Sequence, residues 1–195
     1  LIRKSKGPVF VYSNFKEYAG LKAFQKVLES YNFKNFKNHG IGKNRYALWS
    51  GDETLHYKEQ LRVLFNNKKN MNADYIKVFL GSPSIKEGVS LLRVEQVHIM
   101  EPYWNISRVD QVIGRAIRYC SHKDVPKSRK KVNVFMYHSI HFKEKITIDE
   151  YIYELAIKKQ ILINKFEKLL KESAIDCQLN KTMNTDKKNK LVCKK

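Results

Sequence analysis

Apolar positions along this chain recur in two rhythms. Val9, Phe10, Val11 and Tyr12 follow the turn pair Gly7-Pro8 as an unbroken β-branched and aromatic run, too brief for a helix and right for a buried strand. From Phe15 to Tyr31 the rhythm changes: Tyr18, Leu21, Phe24, Val27 and Leu28 recur at three- and four-residue steps, which predicts one helical face. The basic, Asn-rich stretch NFKNFKNHGIGKN (32–44) reads as a loop leading to a second strand, RYALWS. Helical spacing returns from Glu53 to Phe65, with Leu61, Leu64 and Phe65 on one side. IKVFLGS and VEQVHIM then read as a third and a fourth strand.

In NISRVDQVIGRAIRYC, Ile106, Val109, Ile113 and Ile117 predict one helical stripe, with Gln111, Arg115 and Arg118 on another side. The basic loop SHKDVPKSRKK leads to a fifth strand, VNVFMYHS. A last helix is expected from about Asp149 to Glu172, opened by Thr147 and Glu150 at the spacing of a capping box. Beyond Asp176 the periodicity fades into a basic end, TDKKNKLVCKK. Strands alternating with helices imply an α/β domain around a mainly parallel sheet covered on both faces.

Composition narrows the class. The 195 residues hold 38 Lys and Arg against 19 Asp and Glu, a net charge of +19, with 43% hydrophobic and 12% aromatic residues. That apolar content excludes wholesale disorder, and a chain of this length buries on the order of 70% of its unfolded surface without needing disulfides. No apolar run approaches the ~18 residues that cross a bilayer, so a soluble, intracellular protein is expected. Cys120, Cys177 and Cys193 show no CxxC or zinc spacing, and an odd count suits a reducing compartment, which makes them bystanders. A surface this basic most commonly meets nucleic acid, whose phosphates shed counterions to Lys and Arg. Part of the charge also fits the Lys and Asn codons of an AT-rich genome.

Residues 111, 115 and 118 are spaced four and three apart, so one helix would carry them on one face. Two guanidiniums so close repel unless an anion lies between them, and a polyphosphate fits because each can donate two parallel hydrogen bonds. The solvated face of an amphipathic helix satisfies the same spacing. Gly114 is read as a place where backbone approaches backbone. No P-loop is present in the chain: Gly40-Ile41-Gly42-Lys43-Asn44 has the wrong spacing and lacks the magnesium-binding hydroxyl. Ile148-Asp149-Glu150-Tyr151 imitates an acidic magnesium motif but stands at a helix start, where carboxylates favour the dipole. The six histidines show no ligand spacing with the cysteines, so no metal site is expected. Tyr103 and Trp104 could stack on a base, although packing is preferred for Trp104, and His122 lies close enough to Arg118 to reach phosphate.

From Gly81 to His122 the string GSPSIKEGVSLLRVEQVHIMEPYWNISRVDQVIGRAIRYCSH resembles motifs V and VI of superfamily 2 helicases and translocases, in the order of the Swi/Snf-like branch. Glu87, Gly88 and Leu91 stand in its Gly-rich loop, Trp104 and Asn105 in its Trp-Asn pair, and Gln111, Gly114, Arg115 and Arg118 in Q-x-x-G-R-x-x-R. The closing IDEYIYELAIKKQILINKFEKLLKESAIDCQLN is similar to helicases of large cytoplasmic DNA viruses, of the poxvirus nucleoside triphosphatase I and early transcription factor small subunit type.

The resemblance implies an α/β RecA-like three-layer lobe over residues 1–146, a helical extension over 147–180 and a basic flexible tail over 181–195. It implies the C-terminal lobe of a nucleic-acid-dependent ATPase. Arg115 and Arg118 would act as fingers on ATP, Gln111 as an accessory contact, and Mg2+ and ATP would be held mainly by an upstream lobe, which the start at Leu1 also suggests. Glu87, Gly88 and Gly114 would line and couple the cleft. Ser13 and Asn14 in a motif IV-like loop would join Ser82 and Ser84 near nucleic acid, DNA or RNA, with Lys123, Lys127 and Arg129 tracking its backbone. Viral transcription machinery is a further implied partner, and host cytoplasm or virion the implied location. Fingers without a P-loop imply that the chain alone hydrolyses no ATP. The alternative is a non-catalytic nucleic-acid-binding or transcription-factor module of RecA-like fold.

Overall fold

The computed structural model describes residues 1–17, 19–86, 89–143, 145–185 and 191–193. In chain order the elements are β1 (Val9–Tyr12), α1 (Leu21–Ser30), β2 (Lys34–Asn35), α2 (Phe36–His39), β3 (Arg45–Trp49), α3 (Leu55–Phe65), β4 (Val78–Gly81), β5 (Gln96–Ile99), α4 (Ile106–Ile113), β6 (Asn133–Met136), α5 (Ile148–Ser173) and α6 (Cys177–Asn184). The six strands form one parallel sheet in the order β2-β3-β4-β1-β5-β6. β1 lies inside it, with Val9 opposite both Val78 and Gln96, and its four residues are buried as their apolar run requires.

Alternation along β1 divides the core in two, because successive side chains of a strand point to opposite faces. Val9 and Val11 meet Leu21 and Leu28 of α1, with Tyr46, Val78 and Leu80. Phe10 and Tyr12 join the other cluster, where Leu61 and Phe65 of α3 and Val109 and Val112 of α4 cover Phe79, Val97 and Ile99. From β1 the chain travels to the β2 edge, and from β4 it passes β1 to reach β5. β1 is therefore the switch point of the topology, and the crevice at the carboxyl ends of its strands is where open α/β sheets take ligands. Gly81 closes β4 because a Cβ there would stand 2.7 Å from the Phe10 ring.

Four expectations are corrected. α1 starts at Leu21 rather than Phe15, since the carbonyls of Phe15 and Lys16 accept the N–H groups of Leu21 and Lys22 in a turn closed by Gly20. Tyr18 lies outside the described residues, and Val27 is half-exposed. The stretch 32–44 is not all loop: Lys34 and Asn35 pair with Arg45 and Tyr46, and the Asn35 side chain caps α2 on the N–H of Lys37 at 2.9 Å. α4 stops at Ile113, and its buried stripe is Val109, Val112 and the following Ala116, leaving Ile113 half-buried and Ile117 exposed. The chain there tightens into three-residue steps, with the N–H groups of Arg115 and Ala116 donating to Val112 and Ile113 at 3.0 Å each.

The fourth correction concerns the cysteines, read above as bystanders. α6 crosses residue 180, and Cys177 and Cys193 form a disulfide. Leu191 is buried and the Val192 N–H donates to Glu172 Oε1 at 3.1 Å. Two of the three cysteines are thus structural, and only Cys120 is free and exposed. Their 16-residue separation carries no motif, which is why the pairing was not legible. α5 carries the expected capping box at Thr147 and Glu150, and its C-terminal half leaves Leu162, Phe166, Leu169 and Leu170 at least half-exposed. Among the described residues no helix is long and apolar enough to cross a membrane.

Candidate functional site

The side chains singled out in the sequence fall into three groups. The first surrounds the end of α4. Gln111 is exposed on its last turn, Arg115 is half-buried just past the helix and Arg118 is exposed in the turn beyond. They do not share one helical face, because the helix tightens between them. Gly114 has a right-handed φ of −59°, and the atom nearest a Cβ there is the Asp110 carbonyl of its own helix at 3.1 Å, not a second segment.

What gathers the arginines is the loop that follows β4. The Leu91 N–H donates to the Arg115 carbonyl at 2.8 Å, and the Arg93 N–H donates to the Ser121 carbonyl at 3.0 Å. Arg118 Nη1 donates to Ser90 Oγ, and the Arg118 N–H to Ser121 Oγ at 3.3 Å. His122 Nε2 bonds the Val94 carbonyl at 2.7 Å, so the ring that was expected to reach phosphate holds this loop instead. Glu87 and Gly88 lie outside the described residues.

Two residues missed in the sequence hold the same loop. Asn66, at the end of α3, donates through Nδ2 to the Ser90 carbonyl at 2.7 Å and accepts the Leu92 N–H at 2.8 Å. Arg93 is buried, paired with Asp124 at 3.1 Å and bonded to the Asn66 carbonyl. Its one signal was position: an arginine inside the apolar run Leu91-Leu92-Arg93-Val94 must find partners, since an unpaired buried charge is costly.

The second group lines the carboxyl edge at the switch point. Ser13 is fully buried, its Oγ 3.0 Å from both the carbonyl and the N–H of Phe15. Asn14 is half-buried, accepting the Tyr12 hydroxyl at 2.9 Å and donating its N–H to Glu101. Ser82 is buried and its hydroxyl lies 3.0 Å from that of the exposed Ser84. Asn14 and Ser84 are therefore the members of this set that face outward, while Ser13 and Ser82 shape the turns. Burial raises the Glu101 carboxyl above its usual range, opposed by hydrogen bonds from Asn14 and Ser13. Beyond β5, Trp104 is half-exposed rather than packed away, its ring 5.4 Å from Tyr103 and under Lys159 Nζ at 4.8 Å.

The third group is elsewhere. All strands are parallel, so the loop entering β6 lies at the amino edge, across the sheet from Ser13 and Ser84. Lys123 and Lys127 are exposed there. Arg129 is engaged by Asn72 Oδ1 at 2.8 Å, the Met71 carbonyl at 3.3 Å and Glu95 at 3.5 Å. The residues expected to follow one nucleic-acid strand are thus split between opposite ends of the molecule.

Residues 1–120 match the helicase conserved C-terminal domain family. R563 of Acanthamoeba polyphaga mimivirus, by name an ATP-dependent RNA helicase, is 54% identical over 183 residues, covering 94% of this chain and 32% of R563. A termination factor NPH-I homolog of African swine fever virus is 30% identical over 224 residues, covering 92% and 32%. The chain thus spans about a third of the length of these curated relatives. Among solved structures, the C-terminal part of the Fun30 ATPase domain is similar with a TM-score of 0.57 at 20% identity, over 80% of this chain and 41% of that one. The C-terminal domain of the DEAD-box protein Dbp5 gives 0.50 at 16%, over 80% and 71%.

Proposed function

Because the chain belongs to the helicase conserved C-terminal domain family, with viral helicases as relatives, we infer that it serves as the second RecA-like lobe of a nucleic-acid-dependent viral ATPase, a helicase or translocase. The observation that carries this reading is the joining of the β4–β5 loop to the turn after α4. That loop leaves the carboxyl edge at Ser82 and Ser84 and ends bonded to Arg115, Arg118 and Ser121. A strand of nucleic acid against Ser84 and a phosphate against Arg115 and Arg118 would pull on the same short segment.

Arg115 and Arg118 are assigned to the γ-phosphate of ATP, with Gln111 as the polar contact beside them and Glu87, Gly88 and Gly114 belonging to the cleft and its coupling. In phosphoryl transfer, charge spreads over the phosphate oxygens, and a guanidinium held in place by its backbone stabilises it without reorganising. ATP and Mg2+ need further groups: Mg2+ prefers carboxylates, phosphates and water, and the cationic groups here serve the phosphates alone. An upstream lobe of the same polypeptide supplies the rest, and nucleic acid, with viral transcription machinery, completes the set of partners.

The test uses the full-length helicase. Arg115→Ala and Arg118→Ala are each expected to lower nucleic-acid-stimulated ATP turnover by about 10³-fold or more while nucleotide binding survives. The 195-residue chain alone should show no sustained hydrolysis. Parent-like turnover in both variants would overturn the finger assignment.

A further inference from the structure

The amino edge of the sheet holds a cavity of about 680 Å³ that the reading above does not use. It opens among the segment leading into β1, the turn after α1 and the loops entering β3 and β4, through Ser5, Asn32, Asn44 and Asp74. Three exposed cations, Arg3, Lys6 and Lys43, line it against one carboxylate, Asp74, which lies 3.8 Å from Lys43 Nζ. A fourth cation, Lys77, is buried beneath them. Its ammonium is held by Ser5 Oγ at 2.9 Å and the Gly7 carbonyl at 3.1 Å, so it adds charge to the floor without reaching out.

Two further features distinguish this cavity from a solvated basic face. The Tyr31 ring stands in its wall, 56% exposed, with the Arg3 guanidinium 5.6 Å from the ring centroid. On its other side the wall passes into a depression of about 660 Å³ that shares Arg3, Tyr31 and Phe33 and is otherwise mostly apolar, with Phe24 and Val27. Three residues lining the 680 Å³ cavity also hold left-handed backbones, Asn32 at φ 63°, Asn44 at 55° and the buried Ala73 at 60°. For Ala73, whose Cβ makes that conformation costly, this is the kind of strain that gathers where a surface is shaped for use.

Cations interleaved with an exposed aromatic ring and amide side chains are what a single strand of nucleic acid requires: phosphates on the cations, a base on the ring, and its edge on the amides. A duplex offers no free base face, and the cavity falls within the range of about 300–1,000 Å³ that admits small ligands rather than a helix. Asn72 lines the cavity and also accepts from Arg129 at 2.8 Å, which places that guanidinium beside it. We propose that this amino-edge cavity is a second, accessory site for single-stranded nucleic acid, with Tyr31 stacking a base and Arg3, Lys6 and Lys43 holding phosphates.

The site is separate from the ATP cleft and the carboxyl edge, so it stands or falls independently of Arg115 and Arg118. The experiment measures fluorescence anisotropy of the purified chain with labelled single-stranded dT and U oligonucleotides and a duplex of equal length, from low to physiological salt. Circular dichroism of each variant checks folding. Lys6→Ala with Lys43→Ala should weaken single-strand binding at least tenfold at low salt and flatten the slope of log K against log salt by about 1.4, roughly 0.7 per lost phosphate contact. Tyr31→Ala should weaken it about fivefold or more with the slope unchanged, while Tyr31→Phe binds as the parent does. Parent-like binding by both the lysine and the Tyr31→Ala variants overturns the proposal. So does a loss confined to the lysine variant, a duplex held as tightly as the single strand, or a parent chain that binds neither oligonucleotide.

Discussion

His98 is a fully buried ionisable side chain of the central sheet. Its Nδ1 lies 2.7 Å from the Tyr137 hydroxyl and its Nε2 3.1 Å from Gln96 Oε1, with Phe135 stacked 4.9 Å away. Burial lowers its pKa to about 4. An unfolded chain takes up that proton near pH 6.5 and the folded one only near 4, so between those values the unfolded state binds more protons and stability falls as pH falls. The urea midpoint should therefore drop from pH 6.5 to 4 by an amount equivalent to roughly 1–3 kcal/mol, and His98→Gln should flatten this part of the profile. An unchanged slope in the variant would assign the loss to other groups. Sequence reasoning saw His98 only as a histidine without metal spacing, because its partners lie on the same strand and the next. Asn66 escaped for the same reason, its partners being 24 and 26 residues away. Arg115 and Arg118 stand out in the sequence because Q-x-x-G-R-x-x-R is a local pattern, whereas the loop residues that hold them are not.

Elements were legible in proportion to how much of their stability is local. β1 announces itself through four consecutive apolar residues, since a strand buried on both faces has no polar side. β2, two residues long, exists only through its pairing with β3 and leaves no pattern. The end of α4 was misplaced because apolar residues keep helical spacing through Ile117, although Gly114, a poor helix former, stands where the chain tightens. α5 shows the local case at its clearest. Thr147 Oγ1 accepts the Glu150 N–H at 3.3 Å, and the Glu150 carboxylate accepts the Thr147 N–H at 2.8 Å. Thr147 Oγ1 also donates to the Ser139 carbonyl at 2.7 Å, tying the helix start to the segment after β6. Thr147→Ala should cost about 1 kcal/mol and speed amide exchange in the first turn of α5, with the sheet amides unaffected. Equal acceleration in β1 and β5 would mean that the cap supports the whole fold instead.

At the scale of the molecule, the parallel sheet sets the cations of this +19 chain at separate places. Arg115 and Arg118 stand by the β4–β5 loop, and Lys6, Lys43 and Lys127 lie at the amino edge. Composition gave the sum and could not give this sorting, which depends on strand direction. The disulfide acts at the same scale, fastening the end of the chain beside α5. Closing a loop of this length stabilises a fold by about 3 kcal/mol on chain-entropy grounds. Thiol titration of the unreduced protein in denaturant should find one reactive cysteine per chain, Cys120, and three after reduction. Three thiols before reduction would show the pair to be open.

The joining of the β4–β5 loop to the turn after α4 is carried largely by main-chain groups, Leu91 to Arg115 and Arg93 to Ser121. Such bonds are indifferent to spelling and sensitive to length. A codon exchanged at a partly exposed position such as Leu92 alters a side chain and leaves these main-chain bonds in place. A codon inserted or deleted there slides every later donor past its acceptor and takes Ser90 away from Arg118. Lineages descending from this sequence are thus bound to keep the count of this segment, and beyond the count to keep an arginine at 93, a hydroxyl at 90 and apolar residues at 91 and 94.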